Sequence, residues 1–170
     1  MKFAQIGKWF SLLVLAAVVG TGCGTSPRPV AWNLSIEKRT VASIDVDIIG
    51  IQAGDEANWR GIRPDDYWNS GSSVRASAAG QMKSFNFQDS PHWSLAEDDP
   101  IWNTWLKTYQ ATELVIMARL PGLDFDNGPN DRRRYFVRLG KDAWKSKDKT
   151  LTFELNDSFI TPLTPLVPPK

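Results

Sequence analysis

Short segments in which apolar and polar residues alternate one by one constrain the fold of this chain more than any other feature. Trp32, Leu34 and Ile36 alternate with Asn33, Ser35 and Glu37, the period of a strand with one face buried. Residues 38–40 then read as a tight connection. In residues 43–52, Ile44, Val46 and Ile48 alternate with Asp45 and Asp47, after which Ile49 and Ile51 switch parity. An extra residue inserted in one strand flips the facing side, so this segment is expected to be one strand with a bulge near Ile48-Ile49. Residues 83–88 alternate through Phe85 and Phe87, and residues 151–155 alternate again. Residues 114–120 (LVIMARL) are almost continuously apolar, the mark of a central strand covered on both faces. Residues 134–139 place Tyr135, Val137 and Leu139 on one side, and residues 159–163 supply a last edge strand.

Helical signals are few. Arg63-Pro64 opens a short helix within an irregular stretch, and residues 70–73 (SGSS) read as a turn. Asp98-Asp99-Pro100 combines an acidic cap with proline in the first turn. Ile101, Trp102, Trp105, Leu106 and Tyr109 follow at spacings that share one helical face. The expectation is a mainly β, single-domain β-sandwich with one or two short inserted helices.

The N-terminus is organised differently. Lys2 and Lys8 precede an apolar run of eleven residues, 9–19, followed by Gly20-Thr21-Gly22 and then Cys23, the single cysteine of the chain. A membrane-spanning helix needs about 20 apolar residues, so this run has the length of a secretory signal core. Structural cysteines of secreted proteins come in pairs, which leaves a lone Cys at this place without a disulfide role. The segment resembles the signal peptides of bacterial lipoproteins, although Gly20 stands where that family usually has Leu. The resemblance implies that Cys23 is the lipid attachment residue and the first residue of the mature protein. It also implies an outer-membrane destination facing the periplasm, since Gly24 rather than Asp follows. Two or more acyl chains make attachment effectively permanent, whereas one binds marginally.

The expected division is therefore 1-22 signal peptide, 23-30 lipidated Cys and tether, 31-163 sandwich and 164-170 proline-rich tail. Losing residues 1–22 leaves 148 of 170 residues, with eighteen cations against nineteen acids. That is one domain's length, and it carries no basic stripe of the kind that binds nucleic acid. Residues 24–29 reach at most about 20 Å, so the domain is held close to its membrane.

Few residues suggest chemistry. His92 is the single histidine, in Asp89-Ser90-Pro91-His92; a catalytic triad needs separated segments brought together, and a loop role is expected for it. Residues 124–131 (DFDNGPND) are rich in oxygen ligands, but Pro129 and Tyr135 fall where a calcium loop of the EF-hand type needs Gly and Glu. Asp124, Asp126 and Asn127 remain as metal candidates against the stronger reading of a turn, and the arginines 132–134 would repel a cation. No cofactor is expected. Of the seven tryptophans beyond the signal, Trp102 and Trp105 share the helical apolar face and are assigned to the core. Trp59, Trp68 and Trp93 fall in loop-like stretches and are the candidates for a binding face, as stacking platforms for sugars.

The order SIDVDIIGI, a Trp/Tyr-containing segment, LVIMARL, RRYFVRL and TLTFELNDSFITPL resembles the outer-membrane lipoproteins of type VI secretion systems. It is a pattern spread over residues 32–163 rather than a motif. The resemblance implies a transthyretin/Ig-like sandwich with added helices. In that family a loop between the first two strands contacts the periplasmic part of an inner-membrane partner, but here that connection shrinks to about residues 38–40 and no partner-binding residue carries over. Three functions are thus ranked: a non-enzymatic envelope lipoprotein that binds another envelope protein, a glycan- or peptidoglycan-binding module, and, last, an enzyme starting from Asp89, Ser90 and His92.

Overall fold

The computed structural model describes residues 28–88, 90–122 and 128–168. Cys23, Asp89, Asp124, Asp126 and Asn127 lie outside the described residues. Among the described residues, eight strands form two four-stranded sheets: β1 (Asn33–Lys38), β2 (Ile44–Ile51), β3 (Met82–Phe87), β4 (His92–Leu95), β5 (Glu113–Ala118), β6 (Arg134–Arg138), β7 (Thr150–Leu155) and β8 (Ile160–Pro162). One sheet has the order β4-β1-β7-β8, the other β3-β2-β5-β6. The expected mainly β sandwich is the observed fold.

The first two strands belong to different sheets, so the connection between them crosses the sandwich and is not a hairpin. It spans residues 39–43 and is longer than the expected 38–40. β1 runs parallel to β7, with Leu34 opposite Leu151 and Lys38 opposite Leu155.

The expected bulge in β2 is absent. Its register is unbroken on both sides, from Ile44 opposite Phe87 to Ile49 opposite Met82 and from Val46 opposite Ala118 to Ile51 opposite Glu113. The change of parity instead marks a second core. Ile44, Val46 and Ile48 face the interior between the sheets, with Leu34, Ile36, Leu114, Ile116, Val137, Leu151 and Phe153. Ile49 and Ile51 face the other way and pack with Val115, Met117, Trp59 and Tyr67. Both faces of β2 and β5 are thus dry, and apolar residues at both parities follow from that.

The cover over this second face is the segment between β2 and β3. It carries three short helices, α1 (Glu56–Gly61), α2 (Pro64–Tyr67) and α3 (Ser73–Ala78), where one was expected. Pro64 opens α2 at its first position. The Ser72 hydroxyl caps α3 by accepting from the Arg75 N–H at 3.3 Å, so the expected turn is also a helix start. The predicted helix after Pro100 is α4 (Ile101–Asn103), continued as a π-helical turn over Thr104–Thr108. The Asp99 carboxylate accepts the Ile101 N–H at 2.9 Å. Trp102 and Trp105 are buried edge to face at 5.0 Å, in the core as assigned. Among the described residues, no helix is long and apolar enough to cross a membrane.

Candidate functional site

The helical cover is pinned to the sheet by buried charge. Asp47, facing outward from β2, is 1 % exposed. It accepts from the Tyr67 hydroxyl at 2.8 Å and from Arg75 Nε at 2.7 Å, which ties α2 and α3 to the sheet. Burial, and then the Asp47 charge, pushes the Tyr67 phenol well above its ordinary value, so it stays a hydrogen-bond donor. A second set joins α2 to the approach to β6. Arg133 donates from Nη2 to Asp131 Oδ2 at 2.8 Å and from Nη1 to Asp65 at 2.5 Å. Its hydrogen bonds to the Asp131 carboxylate are the first cause raising the Arg133 guanidinium above its usual value. Arg134 donates to the carbonyls of Trp59 at 2.8 Å and Ile62 at 2.6 Å, supplying a cation to the C-terminal end of α1. The arginine run read as a repulsive cluster is therefore largely internal structure, with Arg133 and Arg134 each 5 % exposed.

The three candidate tryptophans do not share a face. Trp59 is 8 % exposed and belongs to the second core, because α1 is a helix and not a loop. Trp93 lies on β4, and its ring stacks on Phe85 of β3 at 3.9 Å with an interplanar angle of 1°. That contact joins the edges of the two sheets and occupies one face of the ring. Trp68, like Trp93, is partly exposed. It lines clefts of about 320 Å³, with Asp65, Asn69, Arg119 and Arg133, and about 310 Å³, with Ser72, Arg75 and Met82. Its indole N–H has no hydrogen-bond partner, while the Arg75 guanidinium lies 4.9 Å from its ring. Of the three, Trp59 is withdrawn into the core, while Trp68 and Trp93 each keep part of the ring exposed.

His92 is exposed on the edge strand β4, not in a loop, and its backbone N–H donates to Ser90 Oγ at 3.2 Å. Among the described residues, no three His, Cys, Asp or Glu side chains group closely enough to hold a metal ion. A third cleft, about 280 Å³, opens beside β6 between Glu56, Arg60, Glu113, Phe136, Arg138 and Leu166. Burial first, and then Glu56, pushes the Glu113 carboxyl above its ordinary value. Among the described residues, the arrangement offers binding surfaces and ion pairs.

The two ends of the sandwich differ. The chain enters at Pro29, bridged to Gly140, with Val30 N–H donating to the Leu139 carbonyl at 2.9 Å. That end holds the start of β1. At its other end, one strand length of about 20 Å away, the 39–43 connection turns out. Val41 at its tip is fully exposed, at 104 % of the reference area. Sequence patterning carried no sign of this residue, since a lone valine between Thr40 and Ala42 breaks no period.

A scan against models of known protein families finds no match, and no curated protein matches the sequence. Solved structures do. A structure described as the type VI secretion protein TssM C-terminal domain from EAEC superposes with a TM-score of 0.50 at 15 % identity, covering 78 % of this chain and 99 % of that one. A structure described as a type VI membrane complex gives 0.51 at 15 %, covering 82 % and 99 %. The type VI secretion lipoprotein TssJ1 from Pseudomonas aeruginosa gives 0.48 at 14 %, covering 82 % and 99 %. At these identities the likeness is one of fold.

Proposed function

We propose that the protein is a non-enzymatic, lipid-anchored component of a type VI secretion apparatus, held in the outer membrane through Cys23 and binding another envelope protein in the periplasm. The observation that carries the reading is the sandwich fold shared, over most of this chain, with structures described as a type VI secretion protein domain and a type VI membrane complex. The placement of the two ends supports it. The tether enters at the Pro29 end, so the exposed 39–43 connection points away from the anchoring membrane. The family that the sequence resembles uses the loop between its first two strands to contact an inner-membrane partner, and the equivalent connection here presents Val41 to solvent.

The test is co-purification of the lipidated protein from membranes with the periplasmic part of an inner-membrane secretion component from the same cell. Val41→Asp places a charge in the contact and is expected to lower recovery about tenfold, the size of one central contact residue. Membrane attachment and melting temperature should stay unchanged, because Val41 packs on nothing. Undiminished recovery would reject this loop as the contact, and the absence of any such partner from the wild-type preparation would reject the binding function.

A further inference from the structure

The surface around the point where the chain enters the sandwich carries a feature that partner binding at the far end does not use. The C-terminal segment turns back along β7, with Leu163 and Thr164 N–H groups donating to the Thr152 carbonyl at 2.8 and 3.3 Å. It then runs beside residues 143–145. Lys145 N–H donates to the Pro165 carbonyl at 2.8 Å, and Val167 N–H to the Ala143 carbonyl at 2.9 Å. Trp144 is bridged to Leu166, and its indole donates to the Arg138 carbonyl at 2.8 Å. This holds Leu166 and Val167 on a fixed backbone while leaving them 41 % and 37 % exposed. Residues 141–145 follow directly on Gly140, the bridge partner of Pro29.

Charge accompanies the apolar pair. Residues 138–149 contain five cations against two acids, in a mature chain whose acids outnumber its cations. Arg28, Lys141, Lys145 and Lys147 are all exposed. None of them takes part in the ion pairs found among the described residues. Lys149 is bound to Glu97 at 3.0 Å, and at the same end Glu56 is bound to Arg60, so these two acids are each already paired.

We infer that this end of the sandwich is a membrane-contact face, in which Leu166 and Val167 insert at the headgroup boundary of the anchoring leaflet while Arg28, Lys141, Lys145 and Lys147 engage anionic phospholipid. The inference rests on the anchoring of Cys23 proposed above and deepens it. Only residues 23–27 separate the anchor from Arg28, a reach of at most about 17 Å. This end is therefore always near the bilayer, where apolar side chains flanked by cations act as the second signal that fixes a peripheral protein on a lipid surface. The consequence is orientation: the sandwich stands on its Pro29 end and holds the 39–43 connection outward.

The test uses the full lipidated protein in vesicles of phosphatidylethanolamine and phosphatidylglycerol. With the Cys23 thiol acylated, a thiol-reactive, polarity-sensitive dye labels only an introduced cysteine. Leu166→Cys should give blue-shifted emission and several-fold stronger quenching by spin-labelled lipid than Val41→Cys. Adding Lys141→Glu and Lys145→Glu, or using phosphatidylcholine alone, should remove most of that difference while the protein still floats with the vesicles. Protein that floats with equal quenching at both positions overturns the contact face and leaves the anchor standing. A difference that persists undiminished in both controls overturns the role given to the cations. Protein that carries no acyl groups and fails to float overturns the anchor, and the inference with it.

Discussion

Asp131→Ala is expected to lower the unfolding free energy by about 3–5 kcal/mol, because it strands a buried guanidinium. Asp131 has a side chain with no exposed surface, and the Arg133 side chain is 6 % exposed. Two bonds would be lost between the side chains, from Nε at 3.0 Å and Nη2 at 2.8 Å, together with the bond from the Arg133 backbone N–H at 2.9 Å. Asp65 cannot compensate, since it is half exposed and meets a single nitrogen. A domain of this size is stable by only about 5–15 kcal/mol, so the variant should melt roughly 10 °C lower. Thermal melts read by circular dichroism give the answer. The double variant Asp131→Leu with Arg133→Met should recover much of the loss, because exchanging a whole buried pair for apolar groups costs far less than breaking it. A single variant that melts within a degree or two of wild type would mean that the cover of the second core is not held by this pair.

Gly50→Ala should be nearly as damaging, at about 3 kcal/mol, for a steric reason. Gly50 continues the inward-facing row of Ile44, Val46 and Ile48 on β2, and Trp105 fills the space that a side chain would take. A Cβ there would lie 2.8 Å from Trp105 Cγ and 3.1 Å from its Cβ, with the ring's Cδ1 closer still. The ring cannot retreat. It has no exposed area, its indole donates to the Gln81 carbonyl at 2.8 Å, and its backbone is held in the π-helical turn. Forcing an extra carbon into a filled core costs about 1–3 kcal/mol, occasionally more. A rigid, fully buried partner puts this site at the upper end. Trp105→Leu in the Gly50→Ala background should relieve the clash, whereas Trp105→Leu alone should open a cavity. Opposite signs for the same substitution in the two backgrounds, read by denaturant titration, would establish the contact.

What could be read from the chain depended on how many residues carried each signal. β5 was legible because its buried residues fall at both parities within one run, and β7 because its alternation is clean. The alternation in β2 identifies a strand but leaves a bulge and a second core indistinguishable, since a change of parity accompanies both. Only the register separates the two. The four residues of β4 were lost between Ser90-Pro91 and Asp98, too short to show a period. The helices α1 and α3 span six residues each, too few to repeat an apolar face, so nothing local in the sequence marks Trp59 as part of a core. The charged sets were beyond reach for another reason. Asp65 and Arg133 stand 68 positions apart, and no local pattern announces that they meet.

The proposed function requires covalent lipid at Cys23. The most direct measurement is intact-mass analysis of the membrane-extracted protein beside a Cys23→Ser variant, with both fractionated. Wild type should start at residue 23, carry the mass of two or three acyl chains and sediment with the outer membrane. The variant should keep its signal segment unprocessed at that point and lose the lipid mass. An unmodified wild-type cysteine, or a serine variant cleaved and sedimenting like wild type, would contradict it.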